Sequence, residues 1–138
     1  MDSVVPLILP VVAAVALMAT IYFVSRGARA PALDEILARR RLYEDWQDFE
    51  AGEVWISADR RAALATDRGS NRLGLVYAFG DKLPSRLLGP GDILSARLDG
   101  GRLVIETKDF GRHHFALVST GEAATRPWAE RLSRLAAA

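Results

Sequence analysis

DILSARLDGGRLVIETK, residues 92–108, alternates apolar and polar side chains on both sides of a two-glycine turn. Leu94, Ala96 and Leu98 alternate with Ser95 and Arg97; Leu103 and Ile105 alternate with Val104 and Glu106. A period of two is the mark of a strand with one face on a core. Asp99-Gly100-Gly101 between the two runs supplies the residues a tight hairpin needs. The stretch therefore predicts two paired antiparallel strands, and it guides the reading of its neighbours.

Upstream, RLGLVYAF (72–79) puts Leu73, Leu75, Tyr77 and Phe79 on one side and Arg72, Gly74, Val76 and Ala78 on the other. That pattern predicts a half-buried strand. EVWIS (53–57) and RAALATD (61–67), joined by Ala58-Asp59-Arg60, form an earlier hairpin, and DRGSN (67–71) turns its second strand into the next. SRLLG lies between Pro84 and Pro90, and HHFALVS (113–119) contributes Phe115 and Leu117. The reading is seven strands, nearly all joined by short turns.

Beyond the strands the period becomes helical. Thr125 is the expected N-cap, with Pro127 in the first turn. Trp128, Leu132 and Leu135 share one face, and Glu130, Arg131 and Arg134 lie opposite. Burying those three apolar side chains contributes about 5–8 kcal/mol. This helix is the expected structural cap over an open end of the sheet.

Before the strands, LDEILARRRLYEDWQDFEAG (33–52) is rich in helix formers and is expected to end at Gly52 as a C-cap. Ile36, Tyr43 and Trp46 project to one side, flanked by Leu42 and Phe49 and interrupted by Arg39, which is placed to pair with Glu35. Gly27 to Pro31 reads as a hinge.

The segment 4–24, VVPLILPVVAAVALMATIYFV, has no charged residue. As a helix it would reach about 31 Å, close to a hydrocarbon core of about 30 Å. Pro6 falls in the first turn and Pro10 would kink the helix. Tyr22, Phe23, Arg26 and Arg29 are the expected membrane-interface residues, and Ala16 and Thr20 form a small-residue pair. The expectation is a transmembrane anchor in a bacterial inner (plasma) membrane, single-pass, with the N-terminus outside and the C-terminal domain cytoplasmic. A cleavable signal is the rival, since Ala28-Arg29-Ala30 has a small-x-small form, although the start is acidic and the apolar run is long. A buried helix is the third reading. The expected division is an anchor over 1–26, a hinge and juxtamembrane helix over 27–52, and a β domain with its C-terminal helix over 53–138.

Charge is nearly balanced, with 18 basic and 17 acidic residues, unlike the basic excess of a nucleic-acid binder. There is no cysteine to supply thiolates. His113 and His114 are strand neighbours and point to opposite faces, so they do not share a metal easily. Ser95, Ser119 and Thr120 have no signature of a base and an orienting acid around them. Gly89-Pro90-Gly91 reads as a turn, and Asp45, Asp48 and Glu50 read as solvated charges. No catalytic, cofactor-binding or metal-ligating set is assigned.

Seven antiparallel strands followed by one amphipathic helix carrying Trp128, together with GDILSARLDGGRLVIETKDF (91–110), resemble a bacterial pleckstrin-homology-like domain over residues 53–137. A lipocalin-like or other small barrel shares much of the strand pattern. The resemblance implies an α+β fold: a seven-stranded antiparallel barrel or sandwich with a C-terminal capping helix, here behind an anchor and a juxtamembrane helix. It also implies a binding module, some of whose relatives hold phosphoinositides through basic residues of the first hairpin. The matching positions are Arg60 and Arg61, with no lysine in the first strand. The expected function is a non-enzymatic, membrane-tethered protein-interaction module, an accessory or scaffold subunit of an inner-membrane assembly. Its expected partners are the lipid bilayer and another membrane or cytoplasmic protein. The alternatives are a sensor of anionic lipid headgroups, using Arg60 and Arg61 with Trp46 and Phe49 at the interface, and an enzyme with an unrecognised site.

Overall fold

The computed structural model describes residues 5–27, 30–108, 111 and 113–137, with first-helix side chains described at Pro6 and over 8–22. Three helices and seven strands follow in chain order. They are α1 (Val5–Gly27), α2 (Glu35–Asp45), β1 (Ala51–Ile56), β2 (Ala62–Asp67), β3 (Leu73–Tyr77), β4 (Ser85–Leu88), β5 (Ile93–Asp99), β6 (Arg102–Thr107), β7 (His114–Val118) and α3 (Glu122–Ala137). The strands form two antiparallel sheets, β1-β2-β3-β4 and β5-β6-β7.

The two sheets and α3 enclose the main core. Leu64 and Leu75 from the first sheet meet Ile93, Leu103, Ile105 and Phe115 from the second, and Trp128, Leu132 and Leu135 of α3 pack onto them. Tyr77 meets Phe115 edge to face at 5.0 Å between ring centres. The hairpin at Asp99-Gly100-Gly101 has both glycines at positive φ, 58° and 77°, where a side chain would be strained. Asp99 pairs with Arg102 across it.

The second sheet departs from simple alternation at one point. Ile93 pairs with Thr107 and Ser95 with Glu106, so Leu94 is an extra residue in β5. The bulge turns Leu94 outward to 58 % exposure and lets Ile93 take the buried position. The strict phase expected for Leu94 is corrected accordingly, while Ala96 and Leu98 still pack against the core.

A second, smaller core lies on the other face of the first sheet. Leu33, Ala38, Leu42 and Phe49 cover Ala63, Ala65, Val76 and Leu83. β3 is therefore buried on both faces, not half-buried. Gly74 makes the close approach possible: a Cβ there would stand 2.7 Å from Leu42 Cδ2 and 2.9 Å from Phe49 Cζ.

The expected course of the 33–52 helix is corrected too. It starts after Asp34, whose Oδ1 accepts the Leu37 N–H at 2.7 Å, and it ends at Asp45. Gly52 lies in β1 and caps nothing. Ala38 and Leu42 form the buried stripe, whereas Ile36 and Tyr43 are 70 % and 64 % exposed. A small side chain at the contact lets the helix sit close to the sheet, so the stripe of largest side chains loses to the stripe that fits. Arg39 pairs with Glu35 at 2.8 Å and also donates to the Ala51 and Gly52 carbonyls at 2.8 and 2.7 Å, tying α2 to the start of β1.

In α3 the expected cap is displaced. The helix begins at Glu122, and Thr125 is fully buried, its Oγ1 2.9 Å from Ser119 Oγ and accepting the Thr120 N–H. Pro127 sits inside the helix.

Among the described residues, no helix is long and apolar enough to cross a membrane. The expected transmembrane anchor is corrected on this finding, and so are the single-pass inner-membrane address and its inside–outside orientation. Tyr22 is 58 % exposed, while the side chains of Phe23 and Arg26, and all of Arg29, lie outside the described residues.

Candidate functional site

A cleft opens where the β2–β3 turn meets α3. Its cavity of about 310 Å³ is lined by Arg72 and Asp67 from the turn, Arg131 and Arg134 from the helix, and a floor of Leu73 and Leu135. Local folding places each of these groups. Leu73 and Leu135 are buried because they belong to the main core. Arg131 and Arg134 lie three residues apart on α3, so they project as neighbours.

Asp67 organises the turn. Its Oδ1 accepts the Glu50 and Gly69 N–H groups at 3.2 and 3.1 Å, and its Oδ2 accepts Ser70 Oγ and Arg72 Nη2 at 2.8 and 3.0 Å. Burial by itself pushes this carboxyl up. The hydrogen bonds from Ser70, Gly69, Arg72 and Glu50 outweigh burial and hold it at about 2, below its ordinary 3.8. Asp67 in turn pushes Arg72 above the ordinary guanidinium range. Asp48 lies 3.4 Å from the same Arg72 nitrogen, so Arg72 is already engaged by two carboxylates.

Arg131 is held differently. Its guanidinium lies over the Trp128 ring at 4.7 Å from the centroid, and Nη2 meets Glu53 Oε2 at 2.8 Å. Nη1 is shielded from solvent and has no hydrogen-bond partner among the described residues. Arg134 is exposed at the rim. The cleft thus joins a preorganised cation, a second cation three residues on along the same helix, and an apolar floor.

The residues singled out from sequence fall elsewhere. Arg60 and Arg61 are exposed at the first hairpin, with Arg60 at φ 56°. The Arg60 carbonyl accepts the Leu33 N–H at 2.9 Å, so the hairpin backbone braces the segment before α2. Trp46 is 36 % exposed and its Nε1 donates to Ser85 Oγ at 3.0 Å, while Ser85 donates to Asp45 Oδ2 at 2.5 Å. Phe49 is 3 % exposed inside the second core and so offers nothing to a lipid or partner surface. Trp128, Leu132 and Leu135 are buried in the main core.

One further row is visible only in the register. Ser95, Glu106 and His114 lie side by side across β5, β6 and β7. Ser95 Oγ is 3.4 Å from Glu106 Oε2, and His114 Nδ1 is 3.7 Å from Glu106 Oε1. The carboxylate stands between hydroxyl and imidazole, whereas activation of a serine needs the imidazole in the middle. Among the described residues no group of His, Asp and Glu is arranged to hold a metal ion.

The architecture defines a small α+β protein, two antiparallel sheets flanked by helices. No family model, no curated protein and no solved structure matches the chain. The resemblance to pleckstrin-homology-like domains therefore has no family or homologue behind it, and it is withdrawn as an assignment.

Proposed function

We propose that this chain is a non-catalytic protein-interaction module that grips an acidic group of its partner in the cleft between the β2–β3 turn and α3. The observation that carries the reading is the placing of Arg131 and Arg134, three residues apart on α3, along an apolar-floored cavity. Interfaces favour arginine at such positions because a guanidinium presents paired donors to a carboxylate and tolerates partial burial. Trp128 and Glu53 hold Arg131 in place, which lowers the ordering cost of binding. The Ser95–Glu106–His114 row has the wrong order for nucleophile activation and gives an enzyme no support.

The test is a nuclear magnetic resonance titration of the full chain with short acidic peptides. Perturbations should centre on α3 and residues 66–73, and Arg134→Glu should abolish them. Perturbations that appear only with anionic vesicles, and centre on Arg60 and Arg61, would replace this reading with the headgroup sensor.

A further inference from the structure

We infer that the free edge of β7 is a pairing surface for a second copy of this chain, the two β7 strands running antiparallel across a two-fold axis at Phe115. The two sheets end in four edge strands, β1, β4, β5 and β7. Unpaired strand edges invite other strands, and proteins blunt them with bulges, prolines, charges or cover. β1 has an irregular register between Ala51 and Val54 and carries Glu53. β4 is four residues long, carries Arg86 and lies between Pro84 and Pro90. β5 is bulged at Leu94, and α3 packs along it, with Ser133 Oγ donating to the Ala96 carbonyl at 3.0 Å. β7, HFALV, has none of these devices: its register against β6 is unbroken over five pairs, and it holds no proline, lysine or arginine.

The hydrogen-bond phase decides which groups are free. The Thr107 N–H donates to the His113 carbonyl at 2.8 Å and the Ser119 N–H to the Gly101 carbonyl at 2.9 Å, so the odd-numbered residues of β7 turn their backbone groups to β6. His114, Ala116 and Val118 turn theirs outward. The Val118 carbonyl already accepts the Ala58 N–H at 3.1 Å, which closes that end. The backbone N–H and C=O groups of His114 and Ala116 remain, without a partner among the described residues, and both residues are exposed. Two such residues are self-complementary. With Phe115 opposite Phe115 of the copy, His114 pairs with Ala116 on both sides of the axis, and every free group of the two residues is used. Phe115 keeps its side chain in its own core. On the outer face each imidazole lies against a methyl group, and no like charges stand directly opposite. A joint this short belongs to the weak, concentration-dependent class of interfaces, below about 1,200 Å².

The experiment follows amide hydrogen exchange of the full chain by nuclear magnetic resonance from micromolar to millimolar concentration, with sedimentation velocity alongside. Exchange is the deciding readout, because the exposed apolar side chains of α1 offer a different route to association. In dilute solution the His114 and Ala116 amides should exchange fast and those of Phe115 and Leu117 slowly. Where about nine chains in ten are paired, exchange at His114 and Ala116 should slow about tenfold, because only the unpaired fraction exchanges. Ala116→Pro removes an outward N–H and spares the β6 ladder, which an edge strand tolerates. The variant should stay folded and lose the concentration dependence at His114. Should proline disturb the strand, Ala116→Lys keeps the N–H, sets an ammonium beside the copy's His114, and should weaken pairing about tenfold. Slow exchange at His114 and Ala116 in the dilute monomer would overturn the assigned phase and the inference with it. So would association that leaves both amides unchanged, or no change at either amide up to millimolar concentration. Protection conferred by an added extended peptide, but never by concentration, would give the edge to a different protein and end the case for a second copy. None of these readouts involves the arginines of α3, so the interaction module at the cleft stands or falls separately.

Discussion

Gly74→Ala is the sharpest test of how this fold is assembled. The added methyl would lie 2.7 and 3.0 Å from the two Cδ atoms of Leu42 and 2.9 Å from Phe49 Cζ. All three distances are far inside van der Waals contact, and Leu42 and Phe49 are 1 % and 3 % exposed, with little room to yield. Overpacking of this kind costs about 1–3 kcal/mol. Replacing a glycine whose backbone suits alanine recovers about 0.4–1 kcal/mol by restricting the unfolded chain. The net expectation is a loss of about 1–2 kcal/mol, a fall in Tm of about 3–6 °C. The strain falls on the α2 contact, so hydrogen exchange should quicken at residues 35–45 while β5 and β6 keep their protection. Leu42→Ala on its own removes a buried leucine and costs about 2–4 kcal/mol. In the double variant most of the Gly74→Ala penalty should vanish, a coupling of about 1 kcal/mol. A stabilised Gly74→Ala protein with unchanged α2 exchange would refute the claim that this helix is seated over a glycine gap.

Three other expectations concern the cleft, the clamp and the bulge. The depressed Asp67 carboxyl contributes stability that is complete above its ordinary value of 3.8 and is lost as pH falls toward about 2. Allowing for solvent on the Arg72 side, that contribution is about 1–2 kcal/mol, so urea midpoints should drop between pH 4 and pH 2. Asp67→Asn should flatten this drop, and an unchanged acid limb would remove Asp67 as its cause. Arg39→Ala frees the Ala51 and Gly52 carbonyls and should cost about 1–2 kcal/mol in denaturant melts, with faster exchange at the start of β1. Leu94→Thr should be neutral within about 0.5 kcal/mol because the bulge exposes it, whereas Leu103→Ala, at full burial, should cost about 2–5 kcal/mol; comparable losses would contradict the observed register.

Strands were legible in this sequence where alternation coincided with turn chemistry. The pair flanking Asp99-Gly100-Gly101 could be placed because glycine fixes the turn and the apolar phase fixes the inward face. Leu94 escaped because a bulge shifts phase by one residue without leaving a mark in composition. β3 escaped differently: its second face carries Gly74 and Val76, and a glycine does not announce that another element presses on it. The 33–52 helix was misjudged for the same reason from the other side. Hydrophobic size ranked Ile36 and Tyr43 above Ala38, but the face that docks is the one that sets Leu42 over Gly74, and Ala38 lies on that face, one turn before Leu42. Likewise an arginine inside an apolar stripe looked like an interruption, yet Arg39 supplies the donors that two β1 carbonyls require.

The cleft was hidden for a reason of topology. Arg72 and Arg131 are far apart in the chain, and only the packing of α3 brings them to one cavity. Each looks ordinary alone, one in a polar turn and the other on the charged side of an amphipathic helix. The signal that could have found them is a mismatch of function along α3: Arg131 lies opposite the apolar stripe in sequence, yet in the fold it rests on Trp128 and loses solvent from Nη1. A cation that shields an aromatic ring covers the core with its flat face and keeps its edges for hydrogen bonds. Glu53 takes one edge, and the other is closed to solvent. Arg60 and Arg61 stand at the positions of a basic pleckstrin-homology first hairpin, but both are exposed in their turn. Burial, and not proximity in sequence, is what sets Arg131 apart from Arg60 and Arg61.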